Sequence, residues 1–268
     1  MDLRRGLRSV LLGLGAQEQG VRRPGSDLSE TGGPNRQGEV LVKTLAIIPA
    51  RGGSKGVPRK NVRLLKQKPL IVHSIDAARN ARLVSEIIVT TDDAEIAAVA
   101  EAEGVYVLHR PAELADDAAP MFPVITHALA AAEDKWGAFD SMTLLQPTCP
   151  FRRAEHIDRS LELLEHEQVE GVFGVYQLSH VHPARMYRVE DGQLEPLQGE
   201  DAARNRQDLQ AIYQRNGAIY TLCCAALKDQ QKTLVHPAAP LVMTPVESIN
   251  IDEPYDWTVA EAFADKYL

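Results

Sequence analysis

From residue 44 onward, short apolar runs alternate with segments of helical period, and few folds accommodate that rhythm. Thr44–Pro49 reads as a buried strand, and Pro69–Arg82 carries apolar residues at helical spacing. Glu86–Thr91 is a second strand. Asp93 is placed to cap a helix over Ala94–Glu103, which Gly104 stops. Val105–Leu108, Ser141–Leu145 and Gly171–Tyr176 continue as strands, separated by helices over Pro120–Asp134 and Ala154–His166. Repeated strand–helix units predict a three-layer, Rossmann-like α/β fold with a mostly parallel sheet and right-handed crossovers.

The rhythm breaks over 177–212, a polar, turn-rich stretch in which Arg185–Val189 and Gln193–Pro196 flank an Asp-Gly turn. This excursion is expected to be a lid or dimerisation arm. Asn216–Thr221 and Leu241–Thr244 resume as strands, with a helix near Thr221–Asp229 and another from Pro254 to Lys266. The expected organisation is one domain over 44–268. Residues 17–43 are rich in Gly, Arg, Glu, Ser and Pro, and 1–43 is expected to be a mostly disordered extension, or translation from upstream of the natural start. A faint resemblance to a signal peptide at 4–16 is the lesser reading, because its apolar core is short and its cleavage site poor.

The loop after the first strand carries the chemistry. Between Arg51 and Lys68 stand seven basic residues (Arg51, Lys55, Arg59, Lys60, Arg63, Lys66 and Lys68) and no acidic one, although the chain as a whole has net charge −8. Gly52, Gly53 and Gly56 let backbone N–H groups approach an oxyanion, and the cations add charge. The spacing is neither a P-loop nor a dinucleotide fingerprint. A strand followed by this loop is a phosphate cradle, and ligands of open parallel sheets bind beyond the strands' carboxyl ends. An acidic chain with one local basic loop points to small anions and not to nucleic acid. Ser248-Ile-Asn-Ile-Asp252 puts Asn250 and Asp252 on one side of an extended segment, which suits a hard cation such as Mg²⁺, with Mn²⁺ as an alternative. Cys149, Cys223 and Cys224 make no metal pattern, and Cys149 reads as a small packed thiol. Reduced cysteines and no apolar run of transmembrane length predict a cytoplasmic, non-membrane protein.

Six stretches, in order, resemble the acylneuraminate cytidylyltransferases: Ala46–Asn61, Val89–Asp92, Arg110–Ala115, Leu144–Thr148, Arg215–Tyr220 and Ser248–Asp252. The resemblance spans about 44–268. It implies the nucleotidyltransferase fold, a homodimer, and transfer of CMP from CTP to the anomeric hydroxyl of an acidic nine-carbon nonulosonic sugar, with release of pyrophosphate. It also implies residue roles. Arg51, Gly53, Ser54, Lys55, Lys60 and Asn61 would hold the triphosphate, with Lys60 and Arg51 acting on charge at the α-phosphate. Arg110 would lie on the nucleotide side. Gln146, Arg206 and Asn216 would face the sugar, Arg185 would reach a partner subunit's site, and Asp252 with Asn250 would hold the metal. The family's last motif usually carries two aspartates, and here the first is Asn250. The family's arginine two places before its Asn-Gly strand is here Gln214, with Arg215 next to it, and Met121 stands where a small hydroxyl residue is usual near the cytosine. Legionaminic, pseudaminic and ketodeoxyoctonate sugars are alternative acceptors, and a non-catalytic nucleotide-binding scaffold is an alternative of another class.

Overall fold

A computed structural model of the chain describes residues 42–53, 55–116, 120–179, 181–197 and 209–268. All but the last two residues of the expected 1–43 extension, together with Ser54, Arg206 and part of the 177–212 arm, lie outside them. The elements are β1 (Thr44–Pro49), β2 (Leu64–Leu65), β3 (Lys68–Pro69), α1 (Leu70–Asn80), β4 (Glu86–Thr91), α2 (Ala94–Ala102), β5 (Tyr106–His109) and α3 (Met121–Trp136). There follow β6 (Ser141–Leu144), α4 (Ala154–His166), β7 (Gly171–Gln177), β8 (Tyr187–Glu190), β9 (Gln193–Pro196), β10 (Tyr213–Cys223), α5 (Cys224–Gln230), β11 (Ala238–Val242) and α6 (Pro254–Tyr267).

Seven strands form one sheet in the order β11-β7-β10-β6-β1-β4-β5. Neighbours pair in parallel except at β10, which runs antiparallel to both β6 and β7. Alternation along β1 divides the core. Ala46 and Ile48 face a cluster with Ile71, Ile75, Ile96 and Ile157, from α1, α2 and α4. Leu45 and Ile47 face a cluster with Ile125, Leu129 and Leu227, from α3 and α5. Helices therefore cover both faces, giving the expected three layers. All of β1's side chains are buried, as a central parallel strand requires.

A third cluster fixes the basic loop. Val57 and Leu65 pack with Leu70, Phe151, Ile251, Trp257 and Ala260, so α6 clamps the loop to the 248–252 segment. Glu253 and Asp256 form a reciprocal capping box at the start of α6, with Pro254 in its first turn. The arm contains the expected hairpin, β8 with β9, turned at Asp191-Gly192.

Two expectations shift. The last strand is Ala238–Val242, not Leu241–Thr244, because Pro240 masks the pattern; β11 is an edge strand, where proline is tolerated. The Asn216 strand is much longer than its motif, Tyr213–Cys223, with a register shift between Arg215 and Tyr220 at Gly217, whose φ is +75°.

Candidate active site

Because β1, β4, β5 and β6 run in parallel, the residues following them meet at one edge. Arg51 follows β1, Asp92 follows β4, Arg110 follows β5 and Gln146 follows β6. Arg51, Arg110 and Gln146 line a cleft of about 440 Å³ into which Arg51, Lys55, Lys60 and Arg110 bring positive charge, against Asp116 and Asp252. Leu114, Met121 and Val124 line the same cleft and give it an apolar side. Gln146 and Asp252 also line a second recess, of about 600 Å³, walled by β10 and residues 245–256. Two chambers thus meet at Gln146 and Asp252.

Within the loop, the glycines do different work. A Cβ on Gly56 would sit 2.0 Å from the carbonyl oxygen of Asp252, so only glycine lets the loop lie against that segment. A Cβ on Gly53 would meet nothing within 4 Å, which leaves open space beside an exposed backbone. The Gly52 N–H donates to Asp92 Oδ1 at 3.2 Å, and Asn61 Nδ2 donates to the Arg51 carbonyl at 3.0 Å. Asn61 thus shapes the turn that carries Arg51.

Lys60 is a buried cation of the cleft. Its Nζ donates to the Ile251 carbonyl at 2.6 Å and to Asp252 Oδ1 at 3.0 Å. Arg110 is also buried. It donates through its guanidinium to the Thr90 carbonyl at 2.8 Å, and burial holds its pKa below the usual arginine range. A cation kept in a desolvated wall is strengthened as a partner for an anion.

The structure divides the seven basic residues of 51–68. Arg51, Lys55 and Lys60 line the cleft. Arg59 instead pairs with Asp93 and Glu95 at the start of α2, where Asp93 Oδ1 caps the helix by accepting from the Glu95 and Ile96 N–H groups, both at 3.0 Å. Arg63 stacks on Trp257 at 4.2 Å, Lys66 donates to carbonyls at the end of α6, and Lys68 pairs with Asp76 at 2.7 Å. Those four fasten the loop.

The expected sugar-side residues separate. Gln146 stands between the chambers. Asn216 lines the second recess, but its amide is engaged internally: Nδ2 donates to Ser248 Oγ at 2.9 Å, and Oδ1 accepts from the Ala218 N–H at 3.0 Å. It holds the wall of the recess. Arg185 lies in the arm, against a different recess with His182 and Leu178. Arg206 and Ser54 fall outside the described residues. Sequence reading passed over Tyr176, Tyr220 and Ser248, which line the second recess. Tyr220 and Ser248 lie within motifs that were read, whereas Tyr176 only ends a predicted strand and carried no such signal.

Asp252 and Asn250 present one carboxylate and not two convergent oxygens. Asn250 Nδ2 donates to Asp252 Oδ2, while Asn250 Oδ1 faces Cys149 Sγ at 3.5 Å. A carboxylate only accepts, so the amide nitrogen must face it. Among the described residues no cluster of three or more His, Cys, Asp or Glu side chains could hold a metal. An ion at Asp252, whose side chain is 59% exposed, would take most ligands from phosphate and water, as Mg²⁺ commonly does. Cys149 is inert: burial pushes its thiol up to about 11, and it donates to the Asn216 carbonyl at 3.1 Å. Beneath Gln146, the fully buried Arg152 donates to the Gln146 carbonyl at 3.3 Å and the Ala218 carbonyl at 2.7 Å, bracing the junction of the two chambers. No helix among the described residues is long and apolar enough to cross a membrane.

Comparison with known proteins agrees with this geometry. Residues 45–239 match the cytidylyltransferase family. The chain is 36% identical over 228 residues to a CMP-N,N'-diacetyllegionaminic acid synthase of Legionella pneumophila, covering 82% of this chain and 95% of that protein. It is 33% identical over 226 residues to an N-acylneuraminate cytidylyltransferase of Escherichia coli, covering 84% of this chain and 52% of that longer protein. A pseudaminic acid cytidylyltransferase of Campylobacter jejuni is 31% identical over 180 residues, 67% of this chain and 78% of that one. Among solved structures, a CMP:2-keto-3-deoxy-manno-octonic acid synthetase complexed with CTP aligns with TM-score 0.63 at 17% identity over 84% of this chain and all of that one, which shows the shared nucleotidyltransferase fold. With a family match across most of its length and relatives of this kind, the chain belongs to the acylneuraminate branch of the cytidylyltransferase family.

Proposed function

We propose that the protein is a CMP-nonulosonate synthetase, transferring CMP from CTP to the anomeric hydroxyl of an acidic nine-carbon sugar, N-acetylneuraminic acid or a diacylated relative, and releasing pyrophosphate. The observation that carries this reading is the pair of chambers meeting at Gln146 and Asp252, one cationic and one polar and tyrosine-lined. The triphosphate fits the side with Arg51, Lys55 and Lys60, and the cytosine the side with Leu114, Met121 and Val124. That puts the α-phosphate near Lys60 and the acceptor across from it in the second chamber.

In the reaction the anomeric oxygen bonds to the α-phosphorus, the bond to the pyrophosphate oxygen breaks, and the hydroxyl proton is lost. Such displacement asks the protein chiefly for alignment and charge neutralisation. Lys60 must exchange its Asp252 partner for phosphate oxygen when CTP enters, and this frees Asp252 Oδ1. Asp252 would hold Mg²⁺, which when bound supplies charge to the phosphates and lowers the pKa of a coordinated hydroxyl. Gln146 orients groups at the junction, with its backbone held by Arg152. A homodimer completed by the 177–212 arm belongs to the same proposal: Val189 and Leu194, on the β8–β9 hairpin, are 73% and 66% exposed.

The test is pyrophosphate release with CTP and Mg²⁺ offered N-acetylneuraminic, N,N'-diacetyllegionaminic and pseudaminic acids. Release with at least one is expected, and silence with all three would sink the proposal. Asn250, which removes a negative charge from the metal end, favours the second reading, a nucleotide-binding scaffold; that protein would bind CTP in a calorimeter and release nothing.

A further inference from the structure

The second recess poses an electrostatic problem. Its described lining includes the carboxylates of Asp252 and Asp256. Asp256 Oδ2 is engaged by the backbone N–H groups of Asp252 and Glu253, at 2.9 and 2.8 Å, yet the wall remains acidic. A sugar acid entering it brings another negative charge. Like charges at this range repel, and a low-dielectric recess strengthens the repulsion. Some cation must be aimed into it.

Arg215 is the single cation among the described residues lining this recess. It is exposed, on β10 opposite Val175, and makes no ion pair with a carboxylate among the described residues. The backbone that carries it is fixed. Asn216, the next residue, is locked to Ser248, and a Cβ on Gly174 would lie 2.5 Å from Asn216 Oδ1, so β7 holds the asparagine from beneath. The register shift between Arg215 and Tyr220 departs from regular strand geometry. Tyr220 lines the same recess. A guanidinium has five N–H donors in a planar fork, so an exposed one offers an edge able to take a carboxylate in two parallel bonds. Arg185, the arginine expected to reach a sugar carboxylate from a neighbouring subunit, lines a different recess of its own chain.

We infer that Arg215 binds the carboxylate of the acidic co-substrate from within the same subunit, and so selects 2-keto acid sugars over neutral ones. This rests on the functional reading above and names the residue that reads the acid group.

The experiment compares wild type with R215Q and R215K, using CTP, Mg²⁺ and whichever of the three acids the wild type turns over fastest, and in parallel the C1 methyl ester of that acid. R215Q is expected to raise KM for the acid at least about tenfold, the scale of a lost charge-assisted hydrogen bond, and to leave KM for CTP unchanged. R215K restores part of the loss, since a point charge lacks the fork. With the ester, wild type and R215Q should bind equally, because the group that Arg215 reads has been neutralised. An unchanged KM for the acid in R215Q, or an equal loss with acid and ester, overturns the role of Arg215 while leaving the synthetase reading intact. Absence of turnover by the wild type with every acid overturns both. Thermal melts of the two variants alongside wild type separate a binding loss from a folding loss.

Discussion

The two chambers share Gln146 and Asp252 and differ in almost everything else. The cationic cleft is made of loops that follow parallel strands, and Arg51, Lys55, Lys60 and Arg110 line it together with the apolar Leu114, Met121 and Val124. The second recess is made of an antiparallel strand and the 245–256 segment, with tyrosines, amides and one arginine. The contrast follows the chemistry each must meet. A triphosphate carries several negative charges and no shape that hydrogen bonds must read, so charge on flexible arms is sufficient. On the proposed reading the acceptor, a polyhydroxy acid, carries one charge and many hydroxyls, and the recess offers amides and tyrosines beside two carboxylates and one arginine. Where the chambers touch, Lys60 and Asp252 hold each other, so each half of the site is set by the other until substrate arrives.

The largest break in this arrangement should come from Lys60→Ala. Removing a buried cation aimed at developing charge costs on the order of 10²–10³-fold in turnover. The expected readout is that loss in pyrophosphate release, with a far-ultraviolet spectrum and melting curve close to wild type. Near-normal turnover would remove Lys60 from the chemistry. A smaller effect belongs to the metal end. Asp252→Asn should raise the Mg²⁺ needed for half-maximal rate, on the order of tenfold, and Asn250→Asp should lower it by restoring a second carboxylate. Titrations of rate against Mg²⁺ decide this, and a variant pair with coincident curves would mean that the ion is held by phosphate and water alone. Smaller again is the contrast between two glycines. Gly56→Ala drives a Cβ into the Asp252 carbonyl, so the loop must move, with about 1–3 kcal/mol of destabilisation. Gly53→Ala meets no protein atom within 4 Å and should melt like wild type while weakening CTP binding. Equal melting temperatures for both would contradict the packing of the loop on the 248–252 segment.

How much of this was legible in the sequence depended on whether the signal was local. Strands such as Thr44–Pro49 and Glu86–Thr91, and the Asp93 cap, are written in a few consecutive residues and match the structure. The β2–β3 hairpin was not read, because its turn uses Lys66 and Gln67 at φ of 47° and 65°, where glycine or asparagine is the usual sign. The place of β10 between β6 and β7 was not readable either, since pairing partners are set by long-range packing. The site shows the same division. Arg51, Lys55, Lys60, Arg110, Gln146 and Asp252 were nameable from their motifs, and all line the cleft. That Arg59, Arg63, Lys66 and Lys68 fasten the loop instead depends on Asp93, Glu95, Trp257, Asp76 and the end of α6, residues that sequence order keeps apart. Equally, nothing in Asn216 as a letter reveals that its amide is engaged by Ser248 and the Ala218 N–H.

The fastening of the loop carries the smallest expected effect, and it separates the chambers by pH. His73 on α1 is buried, with Nε2 3.0 Å from the Leu65 carbonyl at the end of the basic loop. Burial holds its pKa below the usual 6.5, outweighing the Leu65 carbonyl, which favours the protonated ring; the nearby Lys68 and Lys66 also press it down. In the unfolded chain the same ring binds a proton near the ordinary value of about 6.5. As pH falls through that value the unfolded state takes up a proton that the native state resists, so stability declines from there toward the lower native pKa. His156 on α4, also depressed by burial, acts in the same direction. Asp93 and Glu247 have pKa values held low and lose their contribution only in the more acid carboxylate range, so the upper window belongs to the histidines. Denaturant unfolding at steps between pH 7 and pH 5 should show this decline, with a shallower slope in His73→Gln than in wild type. Because His73 supports the loop of the nucleotide cleft and lines neither chamber, the acid-dependent weakening should raise KM for CTP before it changes KM for the sugar acid. Matching slopes in the two proteins, or a sugar-side effect first, would place the weak point of the fold elsewhere than beneath the basic loop.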